Sequence, residues 1–290
     1  MLKINALKSA FAIAFSLIVT ATFAQQINTP APSPSSKVEQ AFGLSTVTID
    51  YSRPGVKGRT VFGDLVPYGK VWRTGANAST QIEFSSDVKL EGKDVPAGRY
   101  AIYSIPGESK WTIMIYKDLS LGGRVSGYDE SKELVRFDVT PVKIGMSVES
   151  FTIDINDLKD NAATLGIMWS DVYVPIKMTI DTQSEVVAQI ERFAKNPEAA
   201  LANNYFSAAG YYMSIDKDLD KALEWITAAV EIRPEAFWMS RRKSLIEAKL
   251  GNYKDAIKTA EMSKEVAEKA KNADYVKMNS DSIAEWKTKK

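Results

Sequence analysis

A chain of 290 residues with net charge +1 and 45% hydrophobic residues has the composition of an ordinary globular protein, and 37 cations against 36 anions give no field suited to nucleic acid. Histidine and cysteine are both absent. That excludes Ser-His-Asp and Cys-His catalysis, imidazole-ligated zinc or copper, a histidine pH switch, disulfides and a lipid-attachment cysteine, leaving Asp, Glu, Lys, Arg, Tyr or Ser chemistry, or none.

The N-terminus places Lys3 and Lys8 before an apolar run from Ala10 to Val19, followed by Thr22-Phe23-Ala24. This layout predicts a secretory signal peptide over residues 1–24, cleaved after Ala24 to leave Gln25 first. The run is shorter than the ~20 residues needed to span a bilayer, so the mature chain is expected to be soluble, without a membrane span, in the periplasm or outside the cell. Residues 25–36 contain Pro30, Pro32 and Pro34 among Ser and Ala, and are read as an extended tether.

From Thr46 the chain takes on β character. Val47, Ile49 and Tyr51 alternate with Thr48 and Asp50, and further runs follow at 81–84, 99–105, 111–116, 134–139, 148–155, 164–169 and 172–180. Phe151, Ile153 and Ile155 should face a core, opposite Ser150, Thr152 and Asp154. The last two runs are read as a hairpin turning at Ser170-Asp171, with Pro175 marking an edge or a bulge. Many short strands without intervening helices predict an all-β antiparallel sandwich over residues 37–181.

Near Gln183 the period changes to that of a helix, with Ser184 as its cap and Val187, Ile190 and Ala194 on one face; Asn196-Pro197-Glu198 suits the start of another. Leu219, Ala222 and Leu223 recur 34 positions later as Tyr253, Ala256 and Ile257, which is the tetratricopeptide period. A separate all-α, tetratricopeptide-like helical-repeat domain is therefore expected over residues 184–288. Ser244 stands where the second repeat would have its glycine, and no proline closes that repeat near Glu268, so a plain pair of helical hairpins is the competing expectation. Ala273 to Trp286 would form the capping helix, with Tyr275, Val276, Ile283 and Trp286 on its inner side.

KVEQ at residues 37–40, VTIDYSRPGVKGRTVFGDLVPYGKVWRTGAN at 47–77 and VPAGRYAIYSIPG at 95–107 occur in one order over a long span. In these motifs the β region resembles a family of exported bacterial proteins catalogued as domain of unknown function 2911. The resemblance implies a fold and a compartment, and it carries no catalytic residues with it.

Arg53, Lys57, Arg59, Lys70 and Arg73 stand between Tyr51 and Asn77 with Asp64 as the one acid among them. Arg53, Arg59, Trp72, Arg73 and Asn77 are the candidate ligand-binding residues, because guanidinium groups match carboxylate, sulfate or phosphate. The competing expectation, favoured on sequence, is that the arginines pair with Asp50, Asp64 or Glu83 and hold the loop to the sandwich. Asp216-x-Asp218-x-Asp220 resembles the start of a calcium loop, but Lys221 and Thr227 fall where glycine and glutamate are required, and the acids suit the start of the following helix instead. Asp154, Asn156, Asp157 and Asp160 fit a turn after a strand. Neither a metal nor a cofactor is expected. The function predicted is a non-enzymatic module that binds a glycan or small anion through the β domain and a protein or peptide through the helices. A hydrolase or lyase acting on a glycan or envelope polymer through carboxylate or Tyr/Arg chemistry is the alternative, and in its glycosidase form it would need two facing carboxylates.

Overall fold

A computed structural model describes residues 29–195 and 201–289. The chain divides into two compact units, Met1–Thr182 and Gln183–Lys290. The signal-peptide residues and Asn196-Pro197-Glu198 lie outside the described residues.

Among the described residues the first unit contains ten strands: β1 (Ser35–Phe42), β2 (Ser45–Ser52), β3 (Thr80–Phe84), β4 (Val88–Leu90), β5 (Lys93–Val95), β6 (Gly98–Ile105), β7 (Trp111–Tyr116), β8 (Glu133–Val139), β9 (Val142–Asn156) and β10 (Ala162–Thr179). One sheet has the order β1-β2-β3-β6-β7-β8 and the other β5-β4-β10-β9. Every pairing is antiparallel. Phe42, Ile49, Ile82, Phe84, Ile102 and Ile113 from the first sheet join Phe151, Ile153, Leu165, Ile167 and Val174 from the second in one buried core. Period-two alternation therefore places the expected faces as the sequence suggests: Phe151, Ile153 and Ile155 are buried, while Ser150 is exposed.

Strands β6 and β7 are buried on both faces, which explains their nearly unbroken apolar runs. Ile102, Ile113 and Ile115 face the main core. Ala101, Tyr103, Met114 and Tyr116 face the other way, under Leu119, Leu121, Val125 and Tyr128. These covering residues belong to a segment of three short 3-10 turns, Leu119–Leu121, Val125–Gly127 and Glu130–Lys132.

Two expectations require correction. The tether stops earlier than expected, because Ser35 already begins β1 and the Arg53 amide donates to the Pro34 carbonyl at 2.8 Å. The hairpin at Ser170-Asp171 does not exist. Residues 162–179 form one strand whose register against β9 shifts on either side of Ser170, itself at φ 53°, so a β-bulge occupies the place where the polar pair suggested a turn. The actual turn precedes the strand, at Asp157 (φ 53°), within the Asp154–Asp160 acidic stretch. Pro175 fits this arrangement: its missing N–H falls after the β9 ladder ends at Tyr173 and before the β4 contacts begin at Lys177. Strands β4 and β5 went unnoticed because each has three residues; Glu91 and Gly92, at φ 46° and 79°, make a two-residue turn of the primed type between them.

From the unit boundary onward the described residues form six helices: α1 (Thr182–Ala194), α2 (Ala202–Ser214), α3 (Leu219–Ile232), α4 (Phe237–Lys249), α5 (Tyr253–Lys269) and α6 (Ala273–Lys287). Helix α1 starts two residues before Ser184, at Thr182, whose hydroxyl donates to the Asp160 carbonyl. Helices α3 and α5 start at the equivalent positions Leu219 and Tyr253, and Ala222 and Ala256 are fully buried. Asp218 caps α3 by accepting from the Lys221 amide, and Asp216 pairs with Lys249, which accounts for two of the three acids of the calcium-like run. Ser244 is buried and donates to the Arg241 carbonyl within its own helix. Ile283 and Trp286 of α6 are buried, as the capping-helix expectation required.

Candidate functional site: a cationic cavity at the motif-rich loop

Residues 53–79 connect β2 to β3 and are fastened to both sheets. Trp72 exchanges backbone hydrogen bonds with Ser104 of β6 (2.7 and 2.9 Å), extending the first sheet beyond β3. On the opposite side the Val56 amide donates to Glu149 and the Phe151 amide to Pro54, both on β9. Such a path needs sharp turns. Lys57, Thr74 and Asn77 have φ of 50°, 54° and 61°, in the left-handed region. Thr74 is unusual there, because a β-branched residue strongly disfavours that region. It is fully buried, bonded to the Ser104 hydroxyl at 2.8 Å, and its carbonyl accepts from Thr80.

Beneath the loop, Phe62, Trp72, Trp111, Phe151 and Trp169 pack mainly edge to face. Trp72 and Trp169 instead stack, with centroids 6.0 Å apart and planes 16° apart. Trp72 donates its indole N–H to Gly75 and Trp169 to Glu149, so both rings are fixed in orientation. A cavity of about 380 Å³ lies against this pair, and its lining includes Lys57, Arg59 and Arg73. A second, of about 270 Å³, lies against Phe62, Tyr68 and Trp111, with Glu108 and Lys143 at its edge.

The five candidate residues separate into two groups. Arg59, Trp72 and Arg73 line the larger cavity; Arg53 and Asn77 do not. Arg53 turns to β9, donating from Nε to the Phe151 carbonyl (2.9 Å) and from Nη2 to the Thr152 hydroxyl (2.7 Å). Asn77 donates to the Ser33 carbonyl (3.1 Å) and the Ser52 hydroxyl (3.2 Å), holding the N-terminal segment whose Pro32 and Ser33 form part of the cavity wall.

The expected carboxylate partners are absent. Asp50 and Glu83 bind Arg99 instead, at 2.7 and 3.3 Å. Among the described residues, no carboxylate lies within ion-pair distance of Arg53, Lys57, Arg59, Lys70 or Arg73. Arg59 bonds the carbonyls of Val56 (3.0 Å) and Gly55 (2.6 Å). Arg73 has one long contact, 3.5 Å to the Gly123 carbonyl, and its buried Nε–H has no acceptor. The Lys57 ammonium reaches only the Pro32 carbonyl, at 3.5 Å. Glu149 is the nearby acid and accepts the Lys57 backbone amide at 2.9 Å. Sequence reasoning found the cations but missed Lys57 as a lining residue, Trp169 and the Pro32-Ser33 wall. Lys57 was visible in the cluster; the other two come from segments far away in the chain and carried no local signal.

Two antiparallel sheets closed by a long cationic loop, followed by helical hairpins, define a β-sandwich protein with an appended helical unit. The sequence model of the family described as "Protein of unknown function (DUF2911)" matches residues 33–178, half of the chain, and the chain belongs to that family. The match covers the whole loop and begins at Ser33, in the cavity wall. No curated protein matches the chain.

Proposed function

We propose that the chain is an exported, non-enzymatic binding protein whose β unit holds an anionic ligand in the cavity beside Arg73 and whose helices hold a protein or peptide segment. The observation that carries the first part is the set of three cations, Lys57, Arg59 and Arg73, that line one cavity and have no carboxylate partner among the described residues. The one protein acceptor of the Arg73 guanidinium is 3.5 Å away, a costly arrangement for a partly buried cation unless something else bonds its outer N–H groups, and a bound oxyanion supplies those acceptors. Among the described residues no carboxylate lines the cavity, so the paired-acid form of the alternative finds no pair of acids there.

Support for the peptide-binding part is the helical period. The repeated starts of α3 and α5 fit a tetratricopeptide-like stack, and stacked helix pairs form a concave surface suited to protein segments. Arg242 over the Phe206 ring and Arg233 over the Trp238 ring supply cation–aromatic surface in this unit. Export rests on the signal-peptide pattern of residues 1–24; among the described residues no helix is long and apolar enough to cross a membrane.

Thermal melting of wild type and Arg73→Ala, with and without added oxyanions at matched ionic strength, tests the site. Removing a cation from a repelling cluster should leave the empty protein as stable as before or more so, and it should abolish the stabilisation that oxyanions give the wild type. A wild type indifferent to every oxyanion, or an Arg73→Ala protein that keeps the full response, would reject the assignment.

A further inference from the structure

Resting on that reading, we infer that the ligand is a carboxylate carried on a ring, and that the N-terminal segment at Pro32-Ser33 forms one wall of its site. A cavity of about 380 Å³ lies in the range that holds organic ligands, and a bare oxyanion would leave most of it empty. Pro54, Leu65, Val66, Trp72 and Trp169 supply the apolar wall. Leu65 of that wall is 42% exposed, and a ring in the cavity would cover part of it. The two fixed, stacked indoles give that wall a rigid edge.

The same cavity is lined by three cations, Lys57, Arg59 and Arg73. Arg59 has spent its Nε donor on the Val56 carbonyl and an Nη2 donor on the Gly55 carbonyl, and Arg73 keeps its Nε buried, so each offers outer guanidinium N–H groups and Lys57 adds an ammonium. Glu149 beside the Lys57 amide removes part of the positive field. That arrangement suits a singly charged planar group whose body needs apolar contact better than a heavily hydrated dianion.

The wall at Pro32-Ser33 is held by groups of the site itself. The Ser33 carbonyl accepts from Asn77, the Pro32 carbonyl from the Lys57 ammonium at 3.5 Å, and the Pro34 carbonyl from the Arg53 amide. Lys57 therefore contacts both wall and cavity, and closing the wall over a ring adds contact area without adding charge. Asn77 holds the wall to the end of β2, through Ser33 and Ser52, without lining the cavity itself.

Titration calorimetry on the full mature chain, at matched ionic strength, can compare benzoate and glucuronate with acetate and sulfate. The expected result is that at least one ring acid binds ten-fold or more tightly than acetate and sulfate, with the better of the two telling an aromatic body from a sugar. Asn77→Gly keeps the left-handed backbone and removes the amide, and it should weaken the ring acid several-fold while leaving the response to sulfate unchanged. Arg73→Lys, checked by circular dichroism, should weaken every anion. Equal affinity for ring acids and bare ions, or an Asn77→Gly protein with unaltered ring-acid affinity, overturns the inference but leaves an anion site in place. Absence of binding by all four would overturn this inference and the site assignment with it.

Discussion

Arg53 and Arg73 look alike in sequence, both in a glycine-rich loop and both followed within two residues by a turn, yet they carry different burdens. Arg53 ties the end of β2 to β9 through a carbonyl and a hydroxyl 98 and 99 positions away, while Arg73 lacks a good acceptor. A charged donor bonded to neutral acceptors contributes about 1.5–3 kcal/mol, so Arg53→Ala should lower the melting temperature by roughly 5 °C. The anion response, measured on the same samples, should survive, since Arg53 does not line the cavity. Loss of the response together with unchanged stability would place Arg53 in the site after all. Local sequence could identify a cation cluster, but not its partners. Asp50 and Glu83 were plausible acceptors by proximity in the chain, and the cross-strand register instead brings Arg99 to both.

At the level of elements, strands with clean alternation were legible and those with interrupted patterns were not. β9 shows its inner face in Phe151, Ile153 and Ile155, whereas β1 offers only Val38 and Phe42 on its inner side, separated by Gln40. β10 misled because a bulge and a turn use the same small polar residues; the pairing partner decides between them. The segment covering Tyr103 and Tyr116 was invisible for another reason: its order depends on polar anchors rather than on periodicity. Asp118 accepts from Lys132 and Ser120, which hold its carboxyl down at about 2, and Ser131 likewise lowers Asp129. Glu133 is lowered as well: its burial pushes the other way, but hydrogen bonds from Arg136 and Tyr128 outweigh it. Carboxyls depressed in the folded state stabilise it above their ordinary values, and that contribution disappears as pH falls from about 3.8 toward about 2 for Asp118. Over this window the covering segment should detach first, seen as loss of the near-ultraviolet dichroism of the Tyr103, Tyr116 and Tyr128 cluster before the far-ultraviolet strand signal. Lys132→Ala should reduce this acid sensitivity. Near- and far-ultraviolet signals falling together would show that the segment has no separate acid response.

Across the whole molecule, the change of hydrophobic period near Gln183 foretold two kinds of core, and the two units contain them: one cluster joins the faces of the two sheets, and others join the helices. The sequence could not foretell the cavity, because its walls come from residues 32–33, 54–76 and 169, which only the closed sandwich brings together. Two cores make two cooperative transitions in calorimetry the natural expectation, rather than one. A ligand binding only the folded β unit stabilises it by about 2.7 kcal/mol at a hundred times its dissociation constant, which for a domain of this size is a rise of roughly 5–10 °C. A saturating ring acid should therefore raise one transition by that amount and leave the other where it was, and Arg73→Ala should cancel the rise without displacing the second transition. The assignment of each transition can be made independently with Ala222→Leu, which overfills a fully buried position of α3 and should lower the helical transition alone. If a single transition moved as one body under both the ligand and Ala222→Leu, the units would unfold together, and the anion site would have to act on the stability of the helices as well as on that of the sheets.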